Sequence, residues 1–242
     1  MTNPPPARLF PTPSTLAAWQ HAACPTPIAE LFGDIRSMGV VVPHPDDETL
    51  GCGGLIAAAA ARGIAVTVTV LTDGAASHPG SAAWPADRLR ARRRIEVAEA
   101  VAILTQGNGG LIFAGAPDGA LAAHGGTAAA IPPADLLVTC WRDDPHPDHR
   151  AAYAIALSAA EAMAARLLAF PLWVLTTDLA PPGDYRVLSI DAEPWHATRQ
   201  RALAAHRSQI GALITDDPNG FVLDAGLQAL FVRRDELYLV IR

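Results

Sequence analysis

From Gly39 onward the chain alternates short apolar runs with helical stretches, and that rhythm admits few architectures. "GVVV" (39–42) reads as a short buried strand, followed by an alanine-rich helix over 48–62 that stops at Arg62 and Gly63. "IAVTVTVL" (64–71) is an alternating strand, and 87–104 has helical spacing. Further strands are expected at 111–113, 136–141 and 168–175, with a helix at 150–167 between the last two. Beyond Pro181 and Pro182 come a strand at 185–190, a helix from Pro194 to about His206, a short helix near 224–231 and a terminal strand "ELYLVI". Short apolar strands that alternate with helices need crossover connections. The expectation is therefore an α/β fold: a mostly parallel, Rossmann-like sheet with helices on both faces, in a single domain over 36–242. Residues 1–35 are proline-rich and read as an N-terminal extension laid on that core. They hold one short helix that Ser14 or Thr15 caps and Leu16, Trp19 and Gln20 continue.

Half of the 242 residues are apolar and 17% are charged, which excludes a disordered chain and supplies a sizeable core. A net charge of −6 with scattered basic residues argues against a nucleic-acid partner; the one dense run, "RLRARRR" (88–94), is too local to change this. The most apolar stretch, Leu55 to Leu71, is interrupted by Arg62 and Gly63, so no membrane span or membrane partner is expected. "MTNPPPARLF" lacks the basic start and apolar run of a secretory signal. Cys24, Cys52 and Cys140 are odd in number and lack metal-type spacing, so they read as packed thiols, and the expected location is cytoplasmic. Oligomeric state is not legible.

Two segments break the pattern of ordinary helix starts. "VPHPDDETLG" (42–51) and "DDPHPDHRAA" (143–152) each carry His-Pro-Asp directly after an apolar strand. Proline at a first helical position, with Asp46, Asp47 and Glu48 complementing the helix dipole, accounts for part of the first segment. It does not account for the histidine, nor for the recurrence of the pattern as "HPDH" at a second strand end. In sheets of this kind ligands sit outside the carboxyl ends of the strands, and both segments fall on that rim. The joint reading is a metal site. Two imidazoles and one carboxylate, without thiolate, suit zinc with an open fourth position. Iron(II) uses the same set.

"PHPDDETLGCGG" (43–54) together with "HPDH" (146–149) resembles the LmbE-like (PIG-L) family of zinc-dependent N-acetylglucosaminyl deacetylases. The resemblance runs from Val40 to Gln209 and includes "LTDG" (71–74), Arg93 and Glu96 in an R-x-x-E pattern, "PDGAL" (117–121) and "AAHRSQ" (204–209). It implies that His44, Asp47 and His149 hold the metal, that Asp46 is the base, and that His146 faces the reacting carbonyl. Asp148 would orient a neighbouring imidazole, Asp118 would bind substrate, and Arg93 would contact substrate or support a residue that does. The activity implied is removal of the N-acetyl group from an amino sugar or its conjugate, a small-molecule partner. The rivals are a metal-dependent hydrolase of another ester or phosphoester class and a non-catalytic sugar-binding protein on the same fold.

Outside the two segments the residues have plainer readings. Leu89, Val97, Ala100, Val101 and Leu104 form an apolar stripe, and Arg93 falls on the same face. An arginine there needs a partner, and Glu96 at i+3 is the one expected. Arg90, Arg92 and Arg94 read as a solvated face. Asp118 is also the centre of an ordinary Pro-Asp-Gly turn. His206 and Gln209 read as structural, and His78 and His124 as having no specific role. Trp84 and Trp141 fall in rim loops, where either could stack on a sugar or simply pack.

Overall fold

A computed structural model of the protein describes residues 13–124 and 130–242. Residues 1–12 of the expected extension lie outside the described residues. Eight strands form one sheet: β1 (Cys24–Pro25), β2 (Ser37–Val42), β3 (Ala65–Thr72), β4 (Gly110–Ala116), β5 (Leu136–Cys140), β6 (Arg166–Phe170), β7 (Val187–Asp191) and β8 (Asp235–Val240). Their order across the sheet is β1-β7-β8-β6-β5-β2-β3-β4. All pairings are parallel except those of β8, which runs antiparallel to both β6 and β7. The helices are α1 (Pro13–Ala22), α2 (Ile28–Phe32), α3 (Asp47–Ala61), α4 (Ala86–Thr105), α5 (Leu121–His124), α6 (Pro147–Met163), α7 (His196–Ala205) and α8 (Ala225–Phe231).

Alternation along the strands divides the core into two layers. Val40 and Val42 of β2 pack with Leu55 and Ile56 of α3, Val97 and Val101 of α4, and Ala202 of α7. Val41 faces the other way, onto Ala152, Ala156 and Ala159 of α6. Helices therefore cover both faces. The close approach of α3 to the sheet depends on its glycines: a Cβ at Gly51 would sit 2.2 Å from the Phe170 ring.

β2 sends its crossover toward β3 and β4, whereas β5, its other neighbour, sends α6 toward β6. The connections diverge between these two adjacent strands, which opens a crevice at their carboxyl ends. Each His-Pro-Asp segment follows one of the two strands.

The structure departs from expectation in a few elements. The strand expected over 168–175 ends at Phe170, because Pro171 has no N–H to donate, and Trp173–Thr176 form a 3-10 turn. α6 starts at Pro147 and stops at Met163, earlier at both ends than expected, with Ala164 left-handed at its C-cap. α1 begins at Pro13, and the Thr15 hydroxyl donates to Thr177 O at 2.6 Å. Trp19 is fully buried in the main core and its Nε1–H donates to Leu179 O at 3.0 Å. Trp19, Leu31 and Phe32 thus join the core, and through β1 this segment forms one edge of the sheet.

Candidate active site

The turn from β2 into α3 puts His44 and Asp47 side by side. Asp47 Oδ2 accepts from His44 N–H at 3.0 Å and lies 3.1 Å from His44 Nδ1. His149, in the first turn of α6, brings Nε2 to 3.4 Å from the same oxygen. His146 caps α6; its Nδ1 accepts from Asp148 N–H at 3.2 Å, which leaves Nε2 to carry the ring proton. The three imidazoles cluster, with centroids 4.7 Å (His44–His146), 5.1 Å (His146–His149) and 5.4 Å (His44–His149) apart.

Carboxylates enclose this cluster. Asp148 Oδ2 lies 3.3 Å from His44 Nε2 while its oxygens accept from Gly119 and Leu121 N–H at 2.7 and 3.0 Å. Asp118 Oδ1 lies 3.2 Å from the same His44 nitrogen, and Asp118 Oδ2 accepts from Ala76 N–H at 2.9 Å. Burial opposes a charge on His44, but Asp118, Asp148 and Asp47 outweigh it and hold its pKa well above the ordinary value. Burial opposes ionisation of Asp118 too, yet His44 and Arg93 keep that carboxyl well below its usual range. These carboxylates favour positive charge on His44 itself. His146 is the exception: burial, then the charge on His44 and His149, pushes it down to about 4, so its ring is neutral.

Asp46, the residue before α3, has φ 139°, a conformation that a non-glycine side chain adopts only when held. Its N–H donates to Glu48 Oε2 at 3.0 Å, and its Oδ2 lies 3.2 Å from Arg93 Nη2. Arg93, 3% exposed, also donates to Pro45 O at 2.6 Å and Gly74 O at 2.9 Å. Gly74 (φ 65°) is required here, since a Cβ would stand 2.8 Å from the guanidinium. The expected pairing of Arg93 with Glu96 does not occur. Buried Glu96 accepts instead from Arg92 Nε at 2.8 Å and from Ser208 N–H and hydroxyl at 2.9 and 2.6 Å. Nor is Arg90 simply solvated, since it pairs with Asp73 and Asp87 at 2.8 and 2.6 Å. Burial raises the Asp46 carboxyl to about 7 even though Arg93 pulls it down.

Sequence reasoning missed Asp144 and the partners of Glu48. Asp144 is wholly buried; it accepts from His146 N–H and Trp173 N–H, each at 2.9 Å, and lies 3.4 Å from His149 Nδ1. An acidic residue two before a capping histidine was the available signal. Glu48 Oε1 accepts from Thr49 Oγ1 at 2.6 Å and lies 3.1 Å from His206 Nε2, so His206 buttresses the turn behind Asp46. Cys140 ends β5, and its sulfur lies within 4.8 Å of ligand atoms of Asp47 and His149, a proximity its spacing did not announce. Trp141 is buried edge-on against Tyr153 and Tyr185, and Trp84 carries the Arg88 guanidinium 4.1 Å above its ring. His78 is buried, 3.1 Å from Ser77 Oγ.

Donor atoms of His44, His146 and His149, of Asp47, Cys140 and His149, and of His44, Asp118 and Asp148 lie within 4.8 Å of one another in each group, close enough for a divalent cation. Both His149 ring nitrogens are buried without a hydrogen bond, and Nε2 converges with His44 Nδ1 on one carboxylate oxygen. A buried imidazole nitrogen that makes no hydrogen bond and faces a shared carboxylate suits a place in a cation's ligand sphere.

Fold and site together define an α/β protein with a histidine–aspartate cluster of metal-binding type at the switch point of its sheet. The family model described as PIG-L, GlcNAc-PI de-N-acetylase, matches residues 39–160, and the chain belongs to that family. Among solved structures, the A40926 pseudoaglycone deacetylase Dbv21 is 24% identical over 85% of this chain and 96% of its own, with a TM-score of 0.59. The N,N'-diacetylchitobiose deacetylase from Pyrococcus horikoshii is 21% identical over 73% of this chain and 72% of its own, TM-score 0.54. GalB, the 4-carboxy-2-hydroxymuconate hydratase from Pseudomonas putida KT2440, is 20% identical over 73% and 81%, TM-score 0.56. These likenesses establish the fold, and the fold hosts more than one chemistry. No curated protein matches the chain. Among the described residues, no helix is long and apolar enough to cross a membrane.

Proposed function

We propose that the protein is a zinc-dependent hydrolase that removes the N-acetyl group from an N-acetylglucosamine-type amino sugar or its conjugate. The observation that carries this reading is the convergence of His44 Nδ1 and His149 Nε2 on Asp47 Oδ2, with Asp46 held beside it by Arg93. His44, Asp47 and His149 would hold the metal, which when bound supplies Lewis acidity toward the amide carbonyl and a lowered pKa for water. Iron(II) suits the same donors. Asp46 takes the proton from the attacking water and keeps it available for the departing amine. Neutral His146 donates its Nε2–H to the developing oxyanion. Asp148 and Asp118 fix the orientation of His44. In this reading Arg93 positions Asp46, because its guanidinium is turned to that carboxylate and to two carbonyls. Three free cysteines, two of them buried, support a reducing, cytoplasmic setting.

The test is a screen for amine and acetate release over N-acetylated amino sugars carrying different aglycones, with zinc supplied. Release from at least one is expected. No release, alongside clear hydratase, phosphatase or esterase turnover, would overturn the reading.

A further inference from the structure

Helix α3 is broken at Cys52, where φ is −148° and ψ 24°. The break leaves Asp47 and Glu48, with Asp46 just ahead of them, on little more than one turn. A single turn has too few internal hydrogen bonds to hold itself, and both ends of a helix break carry backbone groups that need partners when buried. Arg199 of α7 serves one side: its Nε donates to Thr49 O at 2.9 Å, and its Nη2 donates to Leu50 O. Glu236 of β8 serves the other, accepting from Gly54 N–H at 2.7 Å and Leu55 N–H at 2.9 Å. The two side chains pair, with Arg199 Nη1 3.0 Å from Glu236 Oε1. Arg199 also reaches the carbonyls of Phe231 (2.8 Å) and Arg233 (3.3 Å), and Glu236 accepts from the Tyr238 hydroxyl at 2.7 Å. Gly53 and Gly54 make room for them: a Cβ would stand 3.0 Å from Arg199 Cγ at the first and 2.9 Å from Glu236 Oε1 at the second.

Arg199 is 1% exposed and Glu236 2%. A buried ion pair of this kind is often no more stabilising than apolar side chains of the same volume. Apolar side chains could fill the space but could not cap the two helix ends. We propose that Arg199 and Glu236 are positioning residues: they hold the one turn that presents Asp46 and Asp47, acting through the Thr49–Leu55 backbone without touching substrate. For its consequences on turnover the proposal rests on the function proposed above.

The experiment compares Glu236→Gln and Arg199→Lys with Leu104→Ala. Leu104 is buried near the end of α4, on the edge of the sheet opposite the site. Amide hydrogen exchange over residues 44–54 is measured on metal-free protein, followed by zinc affinity, kcat and KM. Both clamp variants are expected to exchange faster over 44–54 and to bind zinc roughly 10- to 100-fold more weakly, as for loss of an outer support of a metal site. Their kcat should fall with KM near that of the wild type, while Leu104→Ala loses urea stability without these changes. Wild-type exchange over 44–54 and wild-type zinc affinity in both clamp variants would overturn the proposal. If a single variant does not fold, Arg199→Met combined with Glu236→Leu removes both charges together. Fast exchange over 44–54 in that variant supports the proposal and wild-type exchange overturns it. The exchange measurement needs neither metal nor substrate, so it stands even if the deacetylase reading fails.

Discussion

Arg93 Nη2 lies 3.2 Å from Asp46 Oδ2, a contact between the middle of α4 and the residue that opens α3. Both groups are buried, and the guanidinium is anchored on the carbonyls of Pro45 and Gly74. Arg93→Met should release the Asp46 carboxylate from its strained backbone setting. Misplacement of a reacting group by about 1 Å costs roughly 10²-fold in rate. Arg94→Met, whose guanidinium lies 4.1 Å above the Phe113 ring, should leave kcat near wild type. Steady-state kinetics on the two variants decide the matter, and equal small effects would remove Arg93 from the site.

Asp46 and Asp47 are neighbours with different duties in the proposed mechanism. Asp47→Asn replaces an anionic donor with a neutral one, so bound zinc should fall and activity with it. Asp46→Asn should keep the metal and lose roughly 10²–10⁴ in rate, the range for a missing general base. Metal stoichiometry and kcat measured side by side separate the two. Loss of metal in Asp46→Asn with retention in Asp47→Asn would show the roles to be reversed.

Asp144 fixes the His146 backbone through one oxygen and stands 3.4 Å from His149 Nδ1 with the other. Asp144→Asn keeps the shape and removes the charge. Zinc affinity is expected to drop by roughly 10- to 100-fold. Calorimetric titration of the metal-free protein checks this, and unchanged affinity would make Asp144 a loop residue only.

Asp135, exposed at the start of β5, accepts from Arg36 N–H, the Ser37 hydroxyl and Ser37 N–H at 2.8–2.9 Å. These donors hold its carboxyl below the usual value in the folded state. A carboxyl depressed on folding contributes stability that is fully present above its unfolded pKa of about 3.9 and lost as pH falls through the folded value. Asp135→Asn should therefore lower the urea midpoint at neutral pH, and the gap to wild type should close in acid. A gap independent of pH would contradict this.

A methyl group at Gly51 would meet the Phe170 ring at 2.2 Å. Overpacking of this kind costs about 1–3 kcal/mol, so Gly51→Ala should melt at lower temperature than wild type. Because Gly51 lies in the turn carrying Asp47, metal affinity should fall as well. Thermal melts with and without zinc read both effects.

Local chemistry made much of this protein legible from its residues alone. The apolar run at 39–42, the alternation at 64–71 and the two His-Pro-Asp turns are short-range signals, and they placed the strands, their helices and the histidine–aspartate cluster on one rim. Spacing along a helix cannot say where a long side chain ends. Arg93 sits at i,i+3 from Glu96, yet its guanidinium reaches across to Asp46 while Glu96 turns to Arg92 and Ser208. Asp144 beside His149, His206 behind Glu48 and the Arg199–Glu236 clamp across the break in α3 pair groups from separate elements. The antiparallel course of β8, between β6 and β7, likewise rests on pairing between segments distant in sequence. Tertiary structure decided these, because a buried polar group takes whichever partner the packed chain brings within hydrogen-bond reach.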